Sequence, residues 1–207
     1  MKKNILLQEY LQNEDFIVKS ECAISMLKTK LQIIDADLGM RYHRKVIHSK
    51  TSRIKSYDSI VAKLKRKELP ENVETVKEKI NDLIGVRAVC TYTDDLYEMV
   101  KMLYAQKDVK VIKEKDYIKN PKKSGYRSLH LILEIPICFQ EETQWVKIEL
   151  QLRTAAMDYW AGLDYQLQYK KENKEARRIS EELKEYANAI EEIDRKVLEL
   201  RKRIEAI

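Results

Sequence analysis

"WVKIELQLRT", residues 145–154, decides the fold class. Side chains alternate across an extended strand, so Glu149, Gln151 and Arg153 share one face and Ile148, Leu150 and Leu152 the other. One face suits a core. The other suits either water, as on any half-exposed strand, or a row of catalytic groups. "DLIGVRAVCTY" (82–92), "KVIKEKDY" (110–117) and "RSLHLILEIPI" (127–137) also read as strands rich in β-branched residues, and a shorter strand includes Arg53–Lys55. Ser56 starts a helix running through Lys67, and Asp94–Asp95 start another through about Tyr104.

Helical periodicity frames this strand set. Ile17, Ile24, Leu27, Leu31, Ile34 and Leu38 follow a heptad seam, and Ile179, Leu183, Tyr186, Ile190, Ile193, Val197, Leu200 and Ile204 do so more strictly. Such narrow seams want a helix against them, supplied by the other end of the chain or by a second copy; an oligomer contact is expected. Helices enclosing a contiguous strand set make the fold class α+β. The 207 residues suit one structural domain, divided into an N-terminal helical region (1–50), a core (51–171) and a C-terminal heptad helix (172–207).

Charge is unevenly placed. Arg41–Lys67 holds ten Lys/Arg against Asp58 alone, a net of +9 within a chain of net +6. Lys110–Arg127 adds seven cations against Glu114 and Asp116. Clustered cations point to a phosphate-rich partner, a nucleotide or a nucleic acid, although a solvated helix face gives the same composition. The four glycines form neither GxxxxGK[ST] nor GxGxxG, so phosphates would be held by side chains rather than by a glycine-rich backbone cradle. Cys22, Cys90 and Cys138 lack metal-ligand spacing. No apolar run reaches the roughly 20 residues of a membrane span. The N-terminal apolar stretch turns acidic too soon for a signal peptide, so a cytoplasmic protein without membrane partners is expected.

Several side chains are candidates for a site. Asp82 and Arg87 have opposite parity on a regular strand, so they share a site only if Asp82 precedes the strand or Gly85 forms a bulge. A cation inside an apolar strand, as at Arg87, needs an anionic or aromatic partner. Arg53 and Lys55 alternate as strand neighbours, Ser59 and Lys63 are i,i+4 on the following helix, and Lys113 and Lys115 share a strand face. Lys65, Arg66 and Lys67, like His43 and His48, read as surface residues. "KNPKKSGYRSLHLIL" (119–133) places Lys122, Ser124, Tyr126 and His130 on a loop-to-strand junction, where His130 is otherwise a hydrogen-bonded core histidine.

"SRIKSYDSIVAKL", "INDLIGVRAV", "KDYIKNPKKSGYRSLHLIL" and "IELQLRTAAMDYWAGLDYQLQYK" together resemble the small alarmone synthetases, the single-domain branch of RelA/SpoT-type (p)ppGpp synthetases. The resemblance implies a nucleotidyltransferase-like domain with a mixed central sheet of about five strands. It implies transfer of the β,γ-pyrophosphate of ATP to the 3′-hydroxyl of GDP or GTP, releasing AMP. Asp82 and Glu149 would hold Mg²⁺, Glu149 also helping to deprotonate the hydroxyl. Arg53 and Arg87 would sandwich adenine, while Lys55, Ser59, Lys63, Lys113 and Lys115 hold the ATP phosphates. Tyr126 would stack on guanine, with Lys122, Ser124, His130, Gln151 and Arg153 around the acceptor nucleotide. The absence of a His-Asp dipeptide implies synthesis without hydrolysis. Ser52, Ser124 and the Tyr165–Gln166 pair depart from the residues common in relatives. Members of this branch often form tetramers through terminal helices, and an allosteric (p)ppGpp or RNA site is compatible with the resemblance. Two other readings of the residues stay open: a toxin-like transferase acting on tRNA 3′ ends, and a non-enzymatic basic RNA-binding module.

Overall fold

The computed structural model describes residues 6–139, 141–168 and 176–207; the expected core boundary at 171/172 lies outside them. Five strands form one sheet: β1 (Ile47–Ile54), β2 (Ile84–Cys90), β3 (Lys110–Asp116), β4 (Leu129–Phe139) and β5 (Glu142–Thr154). Their order is β1-β2-β5-β4-β3, with β2 and β5 parallel and the other neighbours antiparallel. The α+β class with a mixed five-stranded sheet is therefore what the chain adopts. β1 is longer than the short strand around Arg53–Lys55: it begins at Ile47, and Lys55 falls just outside it. Its polar stretch "HSKTS" has no apolar alternation, and it is pairing with β2 that makes it a strand.

One sheet face is apolar. Ile84, Val86, Ala88, Leu129, Leu131, Leu133, Ile148, Leu150 and Leu152 are buried there against α2 (Glu14–Tyr42) and α5 (Thr93–Tyr104). Ile24, Leu27, Leu31, Ile34 and Leu38 of α2 all join this core, so the first heptad seam is satisfied by the sheet rather than by another helix. α5 starts at Thr93, one residue before the expected acidic pair. Both acids instead accept from arginines: Asp95 from Arg44 at 2.9 and 2.6 Å, Asp94 from Arg201 at 3.2 and 2.6 Å. α1 (Leu7–Gln12), α3 (Tyr57–Arg66) and α4 (Val73–Lys79) build a smaller cluster around Leu7, Leu11, Ile60, Leu64, Val76 and Ile80. Ser56 caps α3, its Oγ accepting from the Ser59 N–H at 3.4 Å.

α6 (Ala155–Gln168) follows β5 directly, and α7 (Ala176–Glu205) packs against it. The Thr154 hydroxyl accepts from the Met157 N–H at 3.1 Å, capping α6, and donates to Asp194 of α7 at 2.5 Å. Trp160 donates to the Leu183 carbonyl at 2.8 Å. The second heptad seam is split by this docking. Leu183 and Ala187 are buried, whereas Tyr186, Ile193, Val197, Leu200 and Ile204 are 42–62% exposed. Among the described residues no helix is long and apolar enough to cross a membrane.

Candidate active site

The other sheet face carries the polar residues, and register places them in two rows. Thr51, Arg87, Gln151, His130 and Lys115 are successive cross-strand partners from β1 to β3. Arg53, Gly85, Glu149, Ile132 and Lys113 form the next row. Cross-strand partners lie on the same side of a sheet, so the alternation of β5 alone brings residues from all five strands to one surface. Gly85 pairs regularly with Arg53 and Glu149, without a bulge. Asp82 reaches this surface because it precedes β2, which resolves its parity with Arg87. Asp82, Glu149, Arg53, Arg87 and Gln151 line one cavity whose floor includes Gly85.

Asp82 is held by the neighbouring strand end and helix. Its Oδ2 accepts from Lys55 Nζ at 2.5 Å and lies 2.6 Å from Lys63 Nζ. Burial alone would raise its pKa; the hydrogen bonds and charges of the two lysines outweigh burial and hold it at about 2. Lys55 is itself pushed down, first by burial and then by Lys63 and Arg53, despite its bond to Asp82. The pair is therefore a costly arrangement for the ammonium and a favourable one for the carboxylate.

Glu149 is the end point of a closed hydrogen-bond circuit. Arg153 Nη2 donates to the Tyr126 hydroxyl at 2.7 Å, which lies 2.8 Å from His130 Nε2. His130 Nδ1 lies 3.2 Å from Glu149 Oε1. On the other side Arg153 Nη2 donates to Gln151 Oε1 at 3.2 Å, and Gln151 Nε2 donates to Glu149 Oε2 at 2.8 Å. Tyr126 already accepts from Arg153, so its O–H goes to His130 Nε2 and the Nδ1–H points at the carboxylate. Burial raises the Glu149 carboxyl, but the His130 and Gln151 hydrogen bonds win and set it below the usual range. His130 is thus buried and hydrogen-bonded, as a core histidine would be, but its partners are site residues.

Two larger cavities adjoin this centre, and Arg53 lines all three. One is bounded by Lys55, Ser59, Lys63, Arg66 and Asp82; the other by Arg87, Lys122, Ser124, Tyr126, Gln151 and Arg153. Tyr165 of α6, 82% exposed, lines both. Lys122 stands 4.5 Å from the Tyr126 ring centroid. Lys113 and Lys115 line none of the three. They lie on β3, the far edge from Arg53 and Lys55, where the Lys115 charge helps to depress Lys122. His130 lines none of them either but is bonded to Glu149 and Tyr126, so of the expected set Lys113 and Lys115 lie farthest from the carboxylates. Sequence reasoning missed Asp158, whose Oδ1 accepts from Arg87 at 3.0 Å and Arg153 at 2.8 Å. The unexplained cation within an apolar strand was the one signal that such an anion had to exist.

The Tyr126 loop rests on α7. Gly125 has φ +90°, and a Cβ there would lie 2.6 Å from the Ala187 Cβ. Gly125→Ala is expected to cost about 2–4 kcal/mol from backbone strain and overpacking together. Denaturant unfolding measures that loss. Because Lys122, Ser124 and Tyr126 share the loop, binding to the cavity beside Tyr126 should weaken more than binding beside Lys55.

The residues suit a divalent ion. Asp82 Oδ1 is buried without a hydrogen-bond partner, and it shares a cavity with the Glu149 carboxylate. Among the described residues no group of three or more His, Cys, Asp or Glu could hold a metal. Two carboxylates with room for phosphate and water oxygens fit Mg²⁺, which dehydrates reluctantly and takes most of its shell from water and nucleotide.

Residues 52–174 match the family described as the region found in RelA / SpoT proteins. GTP pyrophosphokinase YwaC of Bacillus subtilis (strain 168) is 39% identical over 200 residues, covering 96% of this chain and 94% of the relative. The small alarmone synthetase 2 of Bacillus subtilis superposes with a TM-score of 0.80 at 37% identity, covering 92% of this chain and 98% of that one. The small alarmone synthetase 1 of the same organism, bound to its product pppGpp, superposes at 0.82 with 32% identity, covering 92% and 97%. A sheet face with two carboxylates among arginines and lysines, matched to these relatives over nearly the whole chain, places the protein in the small alarmone synthetase branch of the RelA/SpoT family.

Proposed function

We infer that this chain transfers the β,γ-pyrophosphate of ATP to the ribose 3′-hydroxyl of GDP or GTP, releasing AMP and forming (p)ppGpp. The observation that carries the reading is the single cavity holding Asp82 and Glu149 between a lysine-lined and a tyrosine-lined cavity. Two nucleotides need two subsites, and the reacting atoms must meet where the subsites join.

ATP occupies the side of Arg53, Lys55, Ser59 and Lys63, with Arg53 and Arg87 against adenine; guanidinium planes stack well on bases. The acceptor occupies the side of Tyr126, its guanine on the phenol ring, with Lys122, Ser124, His130, Gln151 and Arg153 around its ribose and phosphates. Lys113 and Lys115 add positive potential along the far edge strand for phosphates. Glu149 faces the 3′-hydroxyl and takes its proton while the hydroxyl oxygen bonds to the β-phosphorus and the bond to the α-phosphate oxygen breaks. Mg²⁺, when bound by Asp82 and Glu149, withdraws charge from the transferring phosphoryl oxygens. The lysines and arginines neutralise what remains, so catalysis is mainly alignment and charge stabilisation.

The test is nucleotide chromatography on purified protein with Mg²⁺, ATP and either GDP or GTP. AMP and a 3′-pyrophosphorylated guanosine nucleotide are expected in equal amounts. Folded protein that forms neither at saturating nucleotide overturns the reading. We place the enzyme in the cytoplasm, with residues 51–171 as its catalytic core between the helical regions 1–50 and 172–207. The exposed seam of α7 supports a homo-oligomer, a tetramer by family habit: Tyr186, Ile193, Val197, Leu200 and Ile204 keep heptad spacing and face solvent. Ile193→Glu with Leu200→Glu is expected to reduce the sedimenting species to a monomer, and an unchanged mass would remove the seam from the interface.

A further inference from the structure

Asp158 touches neither reacting centre nor any of the three cavities, yet it holds two arginines that line them. Arg87 comes from β2 and Arg153 from β5; both project from the polar sheet face, and one carboxylate oxygen accepts from each. The two guanidiniums differ in exposure and in their number of partners. Arg153 is 6% exposed and also donates to Tyr126 and Gln151. Arg87 is 35% exposed, and its Nε, like that of Arg153, is buried without a partner. Asp158 is the sole hydrogen-bonding partner found for the Arg87 guanidinium among the described residues. The more exposed arginine is therefore tethered through Asp158 to the buried one.

The tether itself is anchored. Asp158 lies in the first turn of α6, whose N-terminus is capped by the Thr154 hydroxyl, and that hydroxyl is held by Asp194 of α7. Two like charges on adjacent strands repel, and without an anion between them Arg87 would swing toward solvent. Arg87 is indeed disfavoured as a cation, first by burial and next by Arg153.

We propose that Asp158 is a positioning residue that locks Arg87 to Arg153, and so fixes the two arginines between which the adenine and the acceptor nucleotide meet. Arg87 lines the carboxylate cavity and the Tyr126 cavity but not the Lys55 one. This rests on the assignment of Arg87 to ATP and Arg153 to the acceptor. Electrostatics and positioning predict opposite signs for its removal. Losing a negative charge beside a polyanion site strengthens nucleotide binding if Asp158 only screens charge. If it positions, both nucleotides are handled worse although the cleft has become more positive.

The experiment is steady-state kinetics for ATP and GDP separately on wild type, Asp158→Asn, Asp158→Glu, Arg87→Ala and the Arg87→Ala/Asp158→Asn double variant, with thermal melts of each. Asp158→Asn should lower kcat/KM for both nucleotides by about 10–100-fold, the scale of an ångström-level misplacement. Asp158→Glu, which keeps the charge, should recover part of it. Arg87→Ala should raise KM for ATP chiefly, and adding Asp158→Asn to it should cost ATP little more. Unchanged or lower KM values with unchanged kcat in Asp158→Asn overturn the proposal, as does full additivity in the double variant. If Arg87→Ala leaves KM for ATP untouched, the subsite assignment falls and the proposal falls with it. Should Asp158→Asn melt below the assay temperature, Asp158→Glu carries the comparison, and wild-type kinetics in that variant overturn the exact-geometry argument.

Discussion

Glu149→Gln is expected to lower turnover by about 10²–10⁴-fold, the usual worth of a positioned base, while nucleotide binding survives. The size follows from the circuit around the carboxylate. His130 Nδ1–H and Gln151 Nε2–H both donate to it, one to each oxygen. An amide has one acceptor and one donor end, so one of these two donors would face an N–H. Turning Gln151 over does not repair this, because its Nε2 would then meet Arg153 Nη2, which now donates to Oε1. The variant therefore loses the proton acceptor and misaligns the groups that hold the acceptor ribose. Glu149 lies below the ordinary carboxylate range, so it is ionised throughout neutral pH and is a weak base by itself. It works by alignment and by the stability of charge on its oxygens. The pH profile has a matching sign. The Glu149 protonation itself should contribute no loss until pH falls below the usual Glu pKa of roughly 4.3. A fall in turnover of less than about tenfold in Glu149→Gln, with the fold intact, would remove Glu149 from the base role.

How far the sequence anticipates this site depends on the range of each interaction. The β5 alternation is local, and it placed Glu149, Gln151 and Arg153 on one face as found. The Ser56 cap and the Ser59–Lys63 spacing are also local, and both residues line the cavity beside Asp82. Strand order is not local. Lys113 and Lys115 alternate on an exposed strand like Arg53 and Lys55, yet β2, β5 and β4 lie between the two pairs. β1 is longer than its side-chain pattern predicts because its hydrogen bonds to β2, rather than its side chains, define it. The apolar seam of α2 shows a third limit. Such a seam specifies an apolar partner without saying whether that partner is a helix or a sheet, and here the sheet supplies it. α6 carried no clear apolar stripe, so Asp158 and Tyr165 had no address until the helix was seen to start at the end of β5. The ion pair of Asp158 with Arg87 spans 71 residues, which no periodicity encodes.

Asp82→Asn is expected to lower transfer by about 10²–10³-fold, the scale of removing one preorganised electrostatic contact at a reacting centre. It should do so while leaving ATP-analogue binding without metal intact or tighter. The opposed signs come from the two jobs of the carboxylate. Oδ2 neutralises Lys55 and Lys63, and Oδ1 is buried without a hydrogen-bond partner. Phosphates compete for the same two ammoniums, so deleting the carboxylate removes their competitor. The same deletion takes away the free oxygen suited to a divalent ion, so Mn²⁺ bound in the presence of an ATP analogue, read by electron paramagnetic resonance, should fall. Stability should drop too, because Lys55 and Lys63 are left facing each other partly buried; about 2 kcal/mol, or roughly 4–8 °C in Tm, is expected. The pH dependence checks the cause. The folded pKa of about 2 lies below the 3.8 of an ordinary aspartate, so the stabilisation is complete above that value and disappears as pH falls toward 2. Wild type and Asp82→Asn should therefore differ most near neutrality and converge in acid. If they differ equally at every pH, the lysine pairing is not what Asp82 contributes to the fold, and if Mn²⁺ binding is unchanged, the ion is held by other groups.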